Sequence, residues 1–148
     1  MIREAAHADI GTLLLLAEAM HAESKWRRMH FDLDKTAALF RHLIDHPTGC
    51  VLVAERDGEV IGGMAGWCDE HFFSRDKFAG EFGVFVKPTR RGGLAAAGLL
   101  KAFHEWAKSQ GAAFIEVGIT TGVHVERSAK LYEALGFQRA GVVFEAEV

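Results

Sequence analysis

Between Val84 and Leu100 the sequence passes from an apolar strand through a cationic turn into a helix, and the rest of the chain is arranged about that stretch. The strand ends at Val86. Lys87-Pro88-Thr89-Arg90-Arg91-Gly92-Gly93 follows as a tight turn. A helix then runs from about Leu94 to Lys108. Ala96, Leu99, Leu100, Phe103, Trp106 and Ala107 recur on one face, and Lys101, His104, Glu105 and Lys108 on the other. Strand, glycine turn and helix N-terminus together make an anion site, because the first N–H groups of a helix lack intrahelical partners and its dipole favours negative charge there. Gly92 and Gly93 are free to take φ > 0 and admit a close backbone approach. Arg90 and Arg91 are charge-assisted donors suited to phosphate. The small run Ala95-Ala96-Ala97-Gly98 keeps the first helical turn thin. The competing reading is a plain turn with solvated arginines. No Gly-Lys-Ser/Thr follows, so this is not a Walker loop, and no G-x-G-x-x-G is present.

The other elements fall in order around this unit. Ile2 to Ala5 suggests a short strand. Asp9 is placed to cap a helix with the stripe Ile10, Leu13, Leu14, Ala17 and Met20. A second helix starts at Phe31-Asp32-Leu33-Asp34, carries Leu33, Ala37, Phe40, Leu43 and Ile44 in register, and stops at His46-Pro47-Thr48-Gly49. The linker Met20–His30 mixes aromatic, acidic and basic residues. It reads either as an amphipathic loop with Trp26 tucked in, or as an acceptor-binding wall made by Glu23, Trp26 and His30. Cys50–Glu55 and Val60–Cys68 are strands joined by the hairpin signal Asp57-Gly58. Glycines in the return strand suggest a bulge or a close approach. Asp69–Gly80 reads as a surface loop anchored by Phe72, Phe73 and Phe78. Glu81–Val86 alternates, with Phe82, Val84 and Val86 on one face. Past Gln110-Gly111 come a strand over Phe114–Ile119, a helix over about Val125–Leu135 closed by Gly136, and a final strand over Gln138–Val148.

Whole-chain properties exclude several classes. At 148 residues the chain is long enough for one domain, 1–148, with its own core. A net charge of −3 offers no electrostatic footprint for nucleic acid. No apolar run approaches the roughly 20 residues that span a bilayer, and Met1-Ile2-Arg3-Glu4 lacks a signal-peptide core, so a cytoplasmic protein is expected. Cys50 and Cys68 sit singly in apolar stretches and read as buried thiols. The eight histidines are scattered without an HExxH-like ligand pair, so no metal is expected.

Two motifs resemble one family. Arg90-x-x-Gly93-x-Ala95 satisfies the pattern Arg/Gln-x-x-Gly-x-Gly/Ala of the acetyl-CoA loop in the GNAT superfamily of N-acetyltransferases. A second register, Arg91-Gly92-Gly93-Leu94-Ala95-Ala96, fits better by distance from Pro88 and Leu99-Leu100, with Leu94 where the family has Gly. Leu131-Tyr132-Glu133-Ala134-Leu135-Gly136-Phe137 resembles that family's L-Y-E-x-x-G-F segment. Arg127 matches an upstream Arg, while Val125 stands where Asn is frequent. The element order β-α-α-β-β-β-α-β-α-β is also the family's, and the resemblance runs from Ile2 to Glu147, weakest over Met20–His30 and Asp69–Gly80.

The resemblance implies an α/β (α+β) fold: a mixed, mostly antiparallel twisted sheet of about six to seven strands, flanked by four helices. The strands Glu81–Val86 and Phe114–Ile119 would splay apart, leaving backbone groups that need partners. It implies acetyl-CoA as co-substrate, held by Val84, Phe85, Val86, Arg90, Arg91, Gly92, Gly93, Leu94, Ala95, Ala96, Arg127 and Tyr132. Acetyl would pass to an amine by direct attack, with strand amides near Val84 stabilising the oxyanion and Tyr132 as acid for the thiolate. Glu81 is the candidate base, with Glu23 and Glu70 as rivals. Expected partners are a small-molecule or peptide amine and, for assembly, a second copy of the chain. The rival function is a non-catalytic acyl-CoA-binding or sensor domain of the same fold.

Overall fold

The computed structural model describes residues 1–148. Its elements are β1 (Ile2–Glu4), α1 (Ile10–Glu23), α2 (Leu33–Asp45), β2 (Gly49–Arg56), β3 (Glu59–Glu70), β4 (Lys77–Val86), α3 (Ala95–Ser109), β5 (Ala112–Glu116) and α4 (Val125–Ala134). One sheet holds the strands in the order β1-β2-β3-β4-β5. The first four run antiparallel to their neighbours and β5 runs parallel to β4. α1 and α2 cover one face and α3 the other.

Strand β2 shows why both faces are covered. Val51 and Val53 join Leu13, Ala17, Phe40 and Leu43 in one core cluster. Cys50, Leu52 and Ala54 join Met64, Leu99, Leu100 and Phe103 in the other. A continuous apolar run is what a strand buried on both sides needs, and each large side chain fully removed from water contributes about 1.5–3 kcal/mol. Asp57 (φ 53°) and Gly58 (φ 76°) make the β2–β3 hairpin with both central residues left-handed, the geometry that matches strand twist. Asp32 caps α2 by accepting from the Lys35 N–H at 2.9 Å. Asp9 does not cap α1 in this way. Its Oδ2 accepts instead from the Ala6 N–H (2.8 Å) and from Arg3 (2.8 Å), binding the chain entry to β1.

Besides Asp9, and a β5 that spans Ala112–Glu116 rather than Phe114–Ile119, the structure departs from the sequence expectations in four places. The sheet has five strands, fewer than six to seven, because residues 138–148 form no strand. The segment alternates in sequence but pairs with no strand, although β5 has an open outer edge, and it meets the rest of the chain through ion pairs: Arg139 to Glu133 and Glu126, and Glu145 to Lys25 and Arg28. Secondly, half of Asp69–Gly80 is strand, since Asp69 pairs with Phe78 and Glu70 with Lys77, which leaves only residues 71–76 as loop. The Phe78 ring lies 4.9 Å from Trp67 and 5.3 Å from Phe114, and this cross-strand aromatic packing prevails over the polar sequence. Thirdly, the strict alternation of β4 is broken. Ala65 faces Gly83 but Gly66 faces Glu81, so Phe82 is the extra residue of a bulge. Phe85 then packs with α1 and α2, and Val84 with α3. A Cβ on Gly66 would stand 2.5 Å from the Phe103 ring, so the bulge lies directly under α3. Finally, Leu16 takes the buried place in α1 that the pattern gave to Leu14. No helix is long and apolar enough to cross a membrane.

Candidate functional site

The site begins where β4 and β5 part. They pair from Lys77↔Ala112 to Gly80↔Glu116 and no further. β4 runs on to Val86 with β3 on one edge only. At the crotch of this fork the Gly118 N–H donates to Glu81 Oε1 at 3.0 Å. A side chain thus takes the place of the next ladder bond, and the strand edge beyond it, at Val84–Val86, is left for other donors and acceptors.

The cationic turn follows at once. A short 3-10 turn over Pro88–Arg90 leads to Arg91, Gly92 and Gly93. Gly92 has φ 85°, the left-handed region, whereas Gly93 does not, so only one of the two glycines is needed for its backbone. A Cβ on Gly92 would also come within 3.0 Å of Arg127 Nη2, which brings α4 against the turn. α3 begins after Leu94, whose side chain cannot cap, and no side chain bonds the first amides. The N-terminal N–H groups therefore remain open to an anion. Both arginines of the turn are held by distant carboxylates. Lys87 and Arg90 pair with Glu59. Arg91 forms a bidentate pair with Glu23 at the end of α1, with one arm at 3.0 Å, and its Nε donates to the Val86 carbonyl at 3.3 Å.

Fork, turn and helix start open into one cavity of about 340 Å³. Of the residues read from the sequence, Val84, Phe85, Val86, Arg90, Arg91, Gly92, Gly93, Ala95, Ala96, Arg127 and Tyr132 line it. Leu94 does not; it is 86% exposed and borders a separate hollow beside Ile2 and Gly98. Glu23 lines this same cavity, whereas Trp26 and His30 are not among its walls. Trp26 instead lies under the Lys25 ammonium, 4.7 Å from the ring centroid. Glu81 sits behind the cavity at the fork, and Glu70 is exposed at the far end of β3. Sequence reasoning missed Thr121, Val123 and His124, which form the wall between β5 and α4, and Ser128 in the first turn of α4. The only signal for them was their position ahead of the Leu131–Phe137 motif. His124 carries a left-handed backbone (φ 47°) at the start of α4, a conformation no pattern in the sequence shows.

The electrostatics of these groups differ. Burial pushes the Glu81 carboxyl above its ordinary value, and the Gly118 N–H partly opposes it. Burial, then the neighbouring charge of Glu81, pushes the Tyr132 hydroxyl up to about 12. The Arg91 guanidinium holds Glu23 below the usual carboxylate range, against a smaller effect of burial. At neutral pH the site thus offers a protonated Tyr132, a Glu81 poised nearer neutrality than a free carboxylate, and a Glu23 that is ionised and paired.

Comparison with known proteins bears on these features. The sequence profile of the acetyltransferase (GNAT) family matches residues 16–137. No curated protein matches the chain by sequence. Among solved structures, AAC(6')-Iy in complex with the bisubstrate analogue CoA-S-monomethyl-acetylneamine aligns with a TM-score of 0.81 at 20% identity, over 100% of this chain and 97% of that one. The aminoglycoside acetyltransferase HMB0005 from an uncultured soil metagenomic sample aligns at 0.74 and 21% identity, over 100% and 97%. The ribosomal-protein-alanine N-acetyltransferase of Brucella melitensis biovar Abortus 2308 aligns at 0.72 and 15%, over 100% and 99%. At these identities the likeness is one of fold.

Proposed function

Because the chain belongs to the acetyltransferase (GNAT) family, we propose that it is an N-acetyltransferase that moves acetyl from acetyl-CoA to a primary amine by direct attack. The observation that carries this reading is the meeting of the β4–β5 fork with the uncapped start of α3 in one cavity. Such a cavity suits a long ligand with an anionic end and an amide-bearing arm. The open amides of α3 and the Gly92 cradle would take the diphosphate. The free edge of β4 at Val84–Val86 would take the arm. Arg127, close to Gly92, adds a cation on the α4 side. Acetyl-CoA supplies an activated acetyl group as a thioester.

The chain's own groups then have separate tasks. The β4 amides near Val84 are placed to stabilise charge developing on the carbonyl oxygen. Glu81, with its raised pKa, takes the proton from the incoming amine, directly or through water. Tyr132 lines the cavity and donates a hydrogen bond to the departing sulfur. Burial holds the Tyr132 hydroxyl protonated well above the range of an ordinary thiol, so Tyr132 stabilises the thiolate by that hydrogen bond rather than by neutralising it. The acceptor is an amine of a small molecule or a peptide; the names of the structural neighbours include both kinds.

The test is steady-state release of CoA from acetyl-CoA across a panel of small amines and peptides. Amine-dependent turnover supports the reading. Tight acetyl-CoA binding with no turnover on any amine would make the chain an acyl-CoA-binding domain of the same fold.

A further inference from the structure

Glu23 and Arg91 are 68 positions apart, yet both line the cavity and are joined by a bidentate ion pair. Both side chains are only partly covered, at 32% and 27% exposure, so each remains within reach of a ligand. Arg91 has two anchors at once. Its Nη atoms hold Glu23, and its Nε holds the carbonyl of Val86, the last residue of the free strand edge. Arg91 also belongs to the turn that presents the open amides of α3. One guanidinium therefore stands between two sites: the anion cradle on one side and the carboxylate of α1 on the other.

Resting on the acetyl-CoA reading above, we infer that Glu23 is the subsite for a second positive charge on the acceptor, and that Arg91 keeps it closed until a cofactor phosphate takes that arginine. A diphosphate offers more negative charge and more acceptor oxygens than one carboxylate, and it binds guanidinium in the same bidentate manner. Once Arg91 turns to it, Glu23 is a half-covered carboxylate without its partner, which is unfavourable. A cation in the acceptor restores the pair. That cation is not the reacting nitrogen, which attacks only when neutral. The substrate class is accordingly an amine with a second cationic group: a diamine, or an amine bearing a guanidinium. The remaining charged neighbour of Glu23 is His124, whose positive form would compete for the same carboxylate. Since coupling between two ligands is reciprocal, the diamine also strengthens cofactor binding.

The experiment is calorimetric binding of 1,4-diaminobutane and of butylamine, each with and without saturating CoA. CoA is expected to tighten the diamine about tenfold or more, within the usual range of coupling between sites, and to tighten butylamine by less, since its single ammonium cannot fill both the reacting position and the Glu23 subsite. Glu23→Gln should still bind CoA but lose the gain for the diamine. Arg91→Ala should bind the diamine tightly without CoA. A diamine no tighter than butylamine on the CoA-loaded protein overturns the inference, as does a gain that survives Glu23→Gln. CoA binding without coupling overturns this inference alone, whereas a wild-type protein that binds no CoA overturns the proposed function with it.

Discussion

Replacing Gly92 by Ala tests whether the backbone of the turn, rather than its charges, holds the cofactor. Gly92 sits at φ 85°, and a Cβ added there would meet Arg127 Nη2 at 3.0 Å. The second effect is small, because Nη2 is the far end of a flexible side chain that moves by a few tenths of an ångström. The first is not avoidable. Holding an L-residue in the left-handed region costs about 1–2 kcal/mol, which is a factor of roughly 5–30 in an equilibrium. The turn escapes this strain by leaving its native shape. The apparent Kd then rises by the reciprocal of the fraction still competent. Gly92→Ala should therefore weaken acetyl-CoA binding by about 5–30-fold, and Gly92→Val by more. Gly93→Ala is the control: its φ is not positive and the nearest atom to its Cβ is the Arg90 carbonyl at 3.8 Å, an ordinary contact. It carries no backbone strain, so its loss should be the smaller of the two. Calorimetric Kd for acetyl-CoA is the readout. Thermal stability is a poor one, because Gly→Ala also restricts the unfolded chain, an opposing effect of about 0.4–1 kcal/mol. Equal loss at Gly92 and Gly93, or no loss at Gly92, would refute the argument.

Tyr132→Phe keeps the ring that packs 5.9 Å from Phe137 and loses only the hydroxyl, so kcat should fall about 10–100-fold, the loss of a hydrogen bond to a charged group worth about 1.5–3 kcal/mol, with the KM for acetyl-CoA unchanged. A variant at the wild-type rate would make Tyr132 structural. Glu81→Gln still accepts the Gly118 N–H, so the fork persists. Wild-type kcat/KM for the amine should rise with pH through the raised pKa of Glu81 as its base form appears, and the variant should lack that limb; an unchanged profile assigns the proton to another group. Arg3 holds the Asp9 carboxyl below its ordinary value. A depressed folded pKa stabilises the protein above the unfolded value and loses that contribution as pH falls through the folded one. Asp9→Asn should thus lower Tm at pH 7, and the deficit should shrink as pH falls below the ordinary carboxylate range through the folded value of Asp9; a deficit that does not change with pH would show a loss of packing instead.

Local signals were the ones the sequence carried. The period of α3, the Asp57-Gly58 hairpin and the glycine of the turn depend on residues a few positions apart, and each appears close to where it was read. The Leu131–Phe137 motif likewise marked Tyr132, which does reach the cavity. The choice between Gly92 and Gly93 was not legible, because both types of residue allow φ > 0 and only the closed turn requires it at one of them.

What tertiary structure alone decided is partnership. Alternation over residues 138–148 predicted a strand, but these residues leave the open outer edge of β5 unpaired and reach the rest of the chain through ion pairs instead. The bulge at Phe82 interrupts β4 where Phe103 of α3 lies over Gly66, a contact between elements far apart in the chain. Sequence named Arg90, Arg91, Glu23 and Glu81 as charged candidates. It had no means of showing that Arg91 closes on Glu23, Arg90 on Glu59, or Glu81 on Gly118. Residue type and spacing determine which groups a site can contain. Which carboxylate meets which cation is set by the path of the backbone through the sheet, and that path is fixed by the burial of side chains that take no part in the chemistry.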